Sequence, residues 1–239
     1  FAEPIQFIAK YETGTRFAAQ LHKFLEVTLN LIDPDEGASS FSNSHGNNIS
    51  FLSWELMLIT AATLIKTERF PLLAELLNSK YLRQAPYSNA KLVSYTVFET
   101  ALSAIDDAYR QTHKLTWRSM SSQLVKDRVQ PPMHFEQLIE ADFVLMLRSV
   151  IRDEKPWEWY PRTMVYARNH SPFTVFVRAQ SRSYFNRLRV VFGVENQTEF
   201  IDAVARATEE DCFARLHRVL LDTGSLADLI GIAEIATQL

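Results

Sequence analysis

The sequence contains a single cysteine, Cys212, and only six glycines among 239 residues. One cysteine cannot form an internal disulfide, so the fold does not depend on an oxidising compartment. The scarcity of glycine argues against glycine-rich phosphate loops and against strand-rich folds with many tight turns. The phosphate-loop, dinucleotide-binding and nucleophile-elbow motifs are all missing from the sequence. The composition therefore points to neither a nucleotide-binding enzyme nor a serine hydrolase.

Metal-ligand and membrane-spanning patterns are also missing. The six histidines do not cluster at metal-ligand spacing, so we predict no metal and no cofactor. The longest apolar run, 49–65, includes Glu55 and four hydroxyl residues. It is shorter than the ~20 residues that span a bilayer, so we predict a buried helix and no membrane association. We expect a cytoplasmic protein.

The sequence has the composition of a soluble globular protein, with 47% hydrophobic residues, 22% charged residues and a net charge of −3. Apolar residues recur mainly at spacings of three and four, which is the period of a buried helix face. We predict an all-α fold, an irregular multi-helix globular bundle of about eight or nine helices. It has at most one short strand, near 163–167, and 81–93 is irregular. The predicted helices are 15–33, 49–66, 71–79, 94–112, 117–129, 134–151, 172–192, 197–208 and 225–237.

No internal repeat and no break in composition divides the chain, so we predict one helical domain over 1–239. The alternative is a subdivision near the tryptophan-rich segment 152–161. A polar segment, 38–48, is rich in serine, asparagine and glycine, and we expect a mobile loop there. Since the first residue is Phe1 and not methionine, we expect a piece of a longer chain or a processed form.

The composition departs most from the average between Trp159 and Val194, where six arginines occur with no acidic residue. A concentrated positive field attracts phosphates or acidic protein surfaces. Most of the segment is predicted to be one helix, 172–192, with Ser171 as N-cap and Gly193 in the left-handed position after its end. The arginines are Arg162, Arg168, Arg178, Arg182, Arg187 and Arg189.

On one continuous helix with about 100° per residue, Arg178, Arg182 and Arg189 form a stripe on one face and Arg187 lies on the opposite side. Arginine suits bidentate, partly buried recognition better than lysine does. Nearby aromatic residues around Pro161 suggest an aromatic pocket or an interface anchor, with packing in the core as the alternative. The predicted binding residues are Arg162, Arg168, Arg178, Arg182, Arg189, Trp157, Trp159 and Tyr160.

Three explanations of the arginine segment remain open. The arginines can pair within the domain with the acidic residues that follow, dock on an acidic face of another protein or domain, or hold phosphates of RNA, DNA or a nucleotide. The net charge of −3 argues against a nucleic-acid binder, which is usually a basic domain. The acidic residues are Glu195, Glu199, Asp202, Glu209, Glu210 and Asp211.

Arg16 and His22 fit the loose Arg-x(4–6)-His pattern and so resemble the pair of HEPN-type ribonucleases, where such residues serve RNA cleavage. Arg128 and His134 satisfy the same pattern across two prolines, so it arises easily by chance. In a helix the side chains of Arg16 and His22 also lie about 120° apart. We assign no catalytic residue and keep Arg16 and His22 as candidates only.

Two passages, 159–167 (WYPRTMVYA) and 172–179 (PFTVFVRA), resemble helical accessory regions of multidomain bacterial defence or signalling proteins of the kind attached to TIR-type effector domains. The resemblance covers about the last third of the chain and carries over no functional residue. It implies a cytosolic sensing or assembly module whose enzyme lies elsewhere in a longer chain. We therefore expect a non-enzymatic binding or regulatory module with its contact surface on helix 172–192. The alternative is a nucleic-acid-binding or HEPN-like RNA-cleaving helical protein.

Overall fold

A computed structural model describes residues 15–32, 46–84, 89–100, 102–113, 120–152, 159–167, 172–209 and 226–238. Within these ranges the chain forms ten α-helices, three 3₁₀ helices and one two-stranded sheet, which confirms the prediction of an all-α fold. The α-helices are α1 (Thr15–Asn30), α2 (Asn47–Lys66), α3 (Phe70–Asn78), α4 (Ser103–His113), α5 (Met120–Arg128), α6 (Phe135–Ile151), α7 (Thr174–Arg178), α8 (Arg182–Phe192), α9 (Gln197–Glu209) and α10 (Leu226–Ile230).

The described residues divide into two compact units that are discontinuous in sequence. Unit 1 comprises those within 1–63 and 75–135, and unit 2 those within 64–74 and 136–239. The division therefore falls inside α2 and α3 and at the start of α6.

Unit 1 contains a β-hairpin, in which β1 (Tyr81–Arg83) pairs antiparallel with β2 (Lys91–Val93). The prediction of an irregular segment over 81–93 was therefore wrong. The backbone N–H of Leu82 donates to Glu26 Oε2 of α1 at 2.8 Å, and the Asn30 side chain donates to the Leu82 carbonyl at 2.9 Å. Polar side chains of α1 thus hold β1 in place. Each strand has only three residues, which is too short for an alternating pattern to be recognised in the sequence.

Unit 2 is built around α6, in which residues 141–149 are all buried. The polar residues Asp142 and Arg148 lie among them, and both are completely inaccessible to solvent. Arg148 Nη1 donates to the carbonyl of Val191, near the end of α8. The surrounding core is largely aromatic, with ring contacts among Phe143, Phe173, Phe176, Phe185, Phe192 and Phe200.

The segment near 163–167, where we expected at most one short strand, is instead a 3₁₀ helix, Arg162–Tyr166. The N–H and hydroxyl of Thr163 both donate to Asp142 Oδ2, at 2.8 and 2.7 Å. Because a buried carboxylate satisfies these donors, no neighbouring strand is needed. The β propensity of the sequence Thr-Met-Val-Tyr is overridden by this contact.

The predicted helix 172–192 is broken into α7 and α8 by the residues 179–181. The backbone groups there bond to the C-terminal segment: Ala236 N–H to the Ala179 carbonyl, Gln238 N–H to the Gln180 carbonyl, and Arg182 N–H to the Gln238 carbonyl, each at 2.9 Å. A continuous helix would have used these groups internally. Gly193 does follow the end of α8 in the left-handed conformation, with φ of 68°, as predicted.

Two other predicted helices are also interrupted. The segment 94–112 contains a 3₁₀ helix, Tyr95–Phe98, before α4 begins at Ser103. The segment 225–237 consists of α10 and a 3₁₀ helix, Ile232–Glu234, separated by Gly231 with φ of 61°. The predicted loop 38–48 lies outside the described residues up to position 45, and α2 already begins at Asn47.

Helix α2 is the one helix among the described residues that is long and apolar enough to cross a membrane by length and composition. However, 78% of its most apolar window is buried inside the protein. This burial is that of a core helix, in agreement with the prediction for 49–65.

Candidate functional site

Two arginines of unit 2 converge on one carboxylate, that of Glu68. Arg178, at the end of α7, contacts Oε1 through Nη2, and Arg187, in α8, contacts Oε2 through Nη1 at 2.5 Å. Both guanidinium groups also lie over the ring of Tyr184, 4.7 and 5.4 Å from its centroid. We call Arg178, Arg187, Glu68 and Tyr184 the arginine fork.

This arrangement contradicts the predicted stripe, in which Arg178 shares a face with Arg182 and Arg189 while Arg187 lies opposite. That prediction extended a rotation of about 100° per residue through 179–181. Because the helix is interrupted there, the rotation does not carry over from α7 to α8. Arg178 and Arg187 are therefore brought together by the break.

Glu68 occupies a position where glycine is preferred. Its N–H donates to the Ile65 carbonyl at 3.0 Å, and the next N–H, of Arg69, donates to the Leu64 carbonyl at 2.8 Å. These bonds form a Schellman motif that ends α2, with Glu68 as the left-handed residue at φ of 56°. A non-glycine residue in this conformation costs about 1 kcal/mol or more.

The fork keeps an accessible positive charge. The side chains of Arg178 and Arg187 are 49% and 53% exposed, whereas Glu68 is 22% exposed. Burial alone would raise the pKa of Glu68, but the hydrogen bonds and charges of Arg187 and Arg178 outweigh it and lower that pKa. The carboxylate is therefore ionised at neutral pH and is shared by the two arginines, and Arg178 also interacts with the charge of Glu140.

The aromatic support of the fork is rigidly packed. Tyr184 is 5% exposed, and its ring meets Phe70 edge to face with centroids 5.4 Å apart. Burial, the main cause, raises the pKa of Tyr184 to about 12, so the phenol stays neutral. A neutral ring that is fixed by packing provides a stable surface for two guanidinium groups.

Glu140 of α6 assists in placing Arg178. Its Oε1 accepts from the Val175 N–H at 2.6 Å, while Phe173, the N-cap residue of α7, provides no side-chain cap. Burial, the largest influence, raises the pKa of Glu140, against the opposing effects of the Val175 N–H and of Arg178. A carboxylate from another helix thus caps α7, which has only five residues.

The remaining predicted arginines have separate environments. Arg182 is exposed, and its guanidinium makes no hydrogen bond or ion pair with any residue that the structure describes. Arg189 donates to the Val194 carbonyl at 3.1 Å and is partly buried. Arg162 is half-buried, 6.0 Å from the Tyr160 ring centroid, and Arg168 lies outside the described residues.

Of the predicted aromatic residues, Trp159 is completely buried and Tyr160 is half-buried. The Trp159 indole N–H donates to Asp142 Oδ1 at 2.8 Å. Trp159 therefore exposes no surface to a partner and anchors its segment to α6. Trp157 lies outside the described residues.

The described part of the acidic segment after α8 does not supply the partner of the fork. Within the described part of that segment, Glu195, Glu199 and Asp202 form no ion pair with the arginines. Glu199 instead accepts from the Glu195 N–H at 2.7 Å at the start of α9. The described residues do not include 210 and 211, and the side chain of Glu209 is not described either. The acid that pairs with Arg178 precedes it by 110 residues, which no local pattern indicates.

The structure places His22 in a packing role in unit 1. Its ring stacks on Tyr81 with centroids 4.5 Å apart, and Nε2 donates to the Lys80 carbonyl at 3.1 Å. The side chain of Arg16 lies outside the description, so no geometry joins the two candidate catalytic residues. The described ranges contain no group of three histidine, cysteine, aspartate or glutamate residues arranged to hold a metal.

Unit 1 also has an open cavity of about 410 Å³ between α2, α4 and α5. Phe51, Leu52 and Leu124 supply much of its apolar lining, and Arg128 borders it. Arg128 lies 5.5 Å from the Phe51 ring centroid and pairs with the buried Glu55 at 3.3 Å. Its charge is thus already compensated by Glu55.

The chain matches no protein-family model, no curated protein and no solved structure.

Proposed function

We propose that the protein is a non-enzymatic binding or regulatory module that docks an acidic surface of another protein or domain onto α7 and α8. The observation that carries this proposal is that three cationic side chains on these helices are exposed, whereas the carboxylates that the described residues place against them, those of Glu68 and Glu140, are partly buried. The three cationic side chains are Arg178, Arg182 and Arg187.

The chemistry of the surface supports an acidic protein partner. The guanidinium groups of the fork rest on an aromatic ring, and arginine in this setting binds carboxylates with a defined geometry. Helix α8 has no acidic residue in its first turn, so its N-terminal partial positive charge adds to that of Arg182. Val177, which is 44% exposed beside Arg178, offers an apolar contact in the same helix.

The proposal includes a cytoplasmic role in sensing or assembly, as the resemblance to accessory regions of defence proteins implies. It requires no cofactor and no membrane. Nucleic-acid binding or RNA cleavage is the alternative, and the overall charge of −3 disfavours it because RNA would be repelled at long range.

Replacing Arg182 by glutamate tests the surface without disturbing the fork, since this guanidinium has no hydrogen bond or ion pair to lose among the described residues. We expect the affinity for a fluorescent, C-terminally amidated poly-glutamate peptide to fall about tenfold at about 50 mM salt, because an attraction becomes a repulsion. Fluorescence anisotropy would measure the affinity. The matched control is Arg206→Glu, which changes an exposed arginine of α9.

Equal affinities in the wild type and in Arg182→Glu would remove Arg182 from the contact surface. Single-stranded RNA of the same length serves as the second probe in the same titration. RNA binding with a steep salt dependence, together with no peptide binding, would replace the proposal with its alternative. RNA cleavage that is abolished by His22→Ala would establish the ribonuclease function.

A further inference from the structure

We infer that Glu68 is an internal occupant of a carboxylate-binding site formed by Arg178 and Arg187, and that an acidic side chain of the partner replaces it. The inference rests on the proposed function and specifies the group that the surface recognises. It also assigns Glu68 a role in limiting the affinity.

The geometry of the fork is that of a receptor for one carboxylate. Each guanidinium bonds a different oxygen of the same group, Arg178 to Oε1 and Arg187 to Oε2. An external carboxylate has the same two oxygens at the same separation. It can therefore take the place of Glu68 without any change in the distance between the arginines.

The site does not depend on Glu68 for its shape. Tyr184 lies beneath both guanidinium groups and is fixed by burial and by its contact with Phe70. Glu140, through Val175, holds the start of α7, which carries Arg178. Both arginines therefore keep their positions when the Glu68 carboxylate is displaced.

Glu68 is held loosely enough to exchange. Within the described residues, its side chain bonds only the two arginines, which are about half exposed. Ion pairs with this exposure are modest in strength, so an external carboxylate can displace Glu68, although the exchange still lowers its affinity. The backbone at this position favours glycine, and therefore the helix ending does not require glutamate.

The alternative is that Glu68 only neutralises the arginines and that no ligand enters. The two explanations predict opposite effects when the carboxylate is removed. If Glu68 competes with a ligand, its loss strengthens binding. If it is a structural neutraliser, its loss leaves binding unchanged, or weakens it by letting the arginines move.

The test compares the full chain with its Glu68→Gln and Glu68→Gly variants. Glutamine keeps the shape of the side chain, whereas glycine suits the left-handed backbone, so the second variant folds even where the first does not. We expect both variants to bind the amidated poly-glutamate peptide about tenfold more tightly than the wild type does. Adding Arg187→Gln to either variant should return the affinity to the wild-type level or below it.

A second probe identifies the source of the carboxylate. A poly-glutamine peptide with a free C-terminus has one terminal carboxylate and no acidic side chain. Preference for the amidated poly-glutamate supports side-chain recognition as stated. Preference for the free C-terminus would overturn that assignment in favour of a chain terminus.

Variants that bind as the wild type does, or more weakly, overturn the inference. The proposed function then survives if wild-type binding still depends on Arg182. The failure of the wild type and of both Glu68 variants to bind either peptide would instead refute the proposed function. The two failures are therefore distinguishable.

Discussion

The buried residue Asp142 fixes the segment that contains Trp159 and Thr163. Its two oxygens accept three hydrogen bonds, from the Trp159 indole and from the N–H and hydroxyl of Thr163. Burial, the dominant influence, raises the pKa of Asp142 to about 6 from the ordinary 3.8, against the opposing effects of Thr163, Trp159 and Arg162. The folded state therefore binds this proton more tightly than the unfolded state does.

The Asp142→Asn variant tests this linkage. Because the folded-state pKa is raised, the contribution of Asp142 to stability falls as the pH rises from about 4 to about 6, and it is constant above that range. Between pH 4.5 and pH 7, we expect the wild type to lose about 2 kcal/mol relative to the variant. Urea unfolding at the two pH values measures the difference. A pH-independent gap would contradict the raised pKa, and Asp107→Asn, at an exposed aspartate, is the control.

Residues 68 and 193 end helices with the same backbone geometry but different side chains. Gly193 follows α8 with φ of 68°, and its N–H donates to the Val190 carbonyl at 3.2 Å. A Cβ at this position would lie 2.5 Å from Nη1 of the exposed Arg152, a flexible side chain that can move, so it is mainly the conformation that favours glycine. The conformation favours glycine at position 68 as well, and the glutamate there is explained by its contacts with Arg178 and Arg187.

At the scale of elements, the break between α7 and α8 decides which arginines meet. The break is held by backbone hydrogen bonds from Ala236 and Gln238 of the C-terminal segment. It also follows a helix of only five residues, whose N-terminus is capped by Glu140. A short helix of this kind is not stable alone and depends on its surroundings.

Ending the chain after Ile235 tests the role of that segment. The carbonyls of residues 179 and 180 and the N–H of Arg182 would lose their partners, and we expect the free energy of unfolding to fall by about 1–3 kcal/mol. Binding of the poly-glutamate peptide should weaken because the fork loses its alignment. Urea unfolding and anisotropy measure the two effects. Thr237→Ala is the control, since the Thr237 hydroxyl donates only to the nearby Glu234 carbonyl at 2.7 Å.

At the scale of the whole molecule, unit 2 is assembled from two separated stretches of chain, within 64–74 and 136–239. The shorter stretch supplies Glu68 and Phe70, and the longer one supplies Arg178, Arg187 and Tyr184. The predicted subdivision near 152–161 would run through the longer stretch, whose residues 153–158 lie outside the description. A cut in the sequence at that point would not separate the two stretches of unit 2 from unit 1.

A fragment containing only 136–239 should therefore fail to form the complete core of unit 2. It would lack Phe70, which is completely buried against Tyr184, and we expect non-cooperative urea unfolding because the core is incomplete. Joining 64–74 to this fragment through a flexible linker should restore a cooperative transition. Cooperative unfolding of the bare fragment with unchanged stability would show that the shorter stretch is dispensable.

Periodicity located several of the helices. Apolar residues at helical spacing predicted α1, α2, α6 and α9 to within about three residues at each end, since a buried face leaves a regular pattern. The hairpin 81–93, the 3₁₀ helix at 162–166 and the break at 179–181 were missed. In each case a distant group satisfies the backbone, such as Glu26, Asp142 or Gln238, and such a partner leaves no local pattern.

The sequence by itself determined that this protein is helical and that its positive charge is concentrated in one segment free of acidic residues, because both properties are local in the chain. Tertiary structure alone decided which arginines converge and which acid meets them. Arg178 and Arg187 share Glu68 because the C-terminal segment interrupts their helix and the end of α2 brings Glu68 to them. Each of these contacts joins residues that are far apart in sequence, and only packing brings them together.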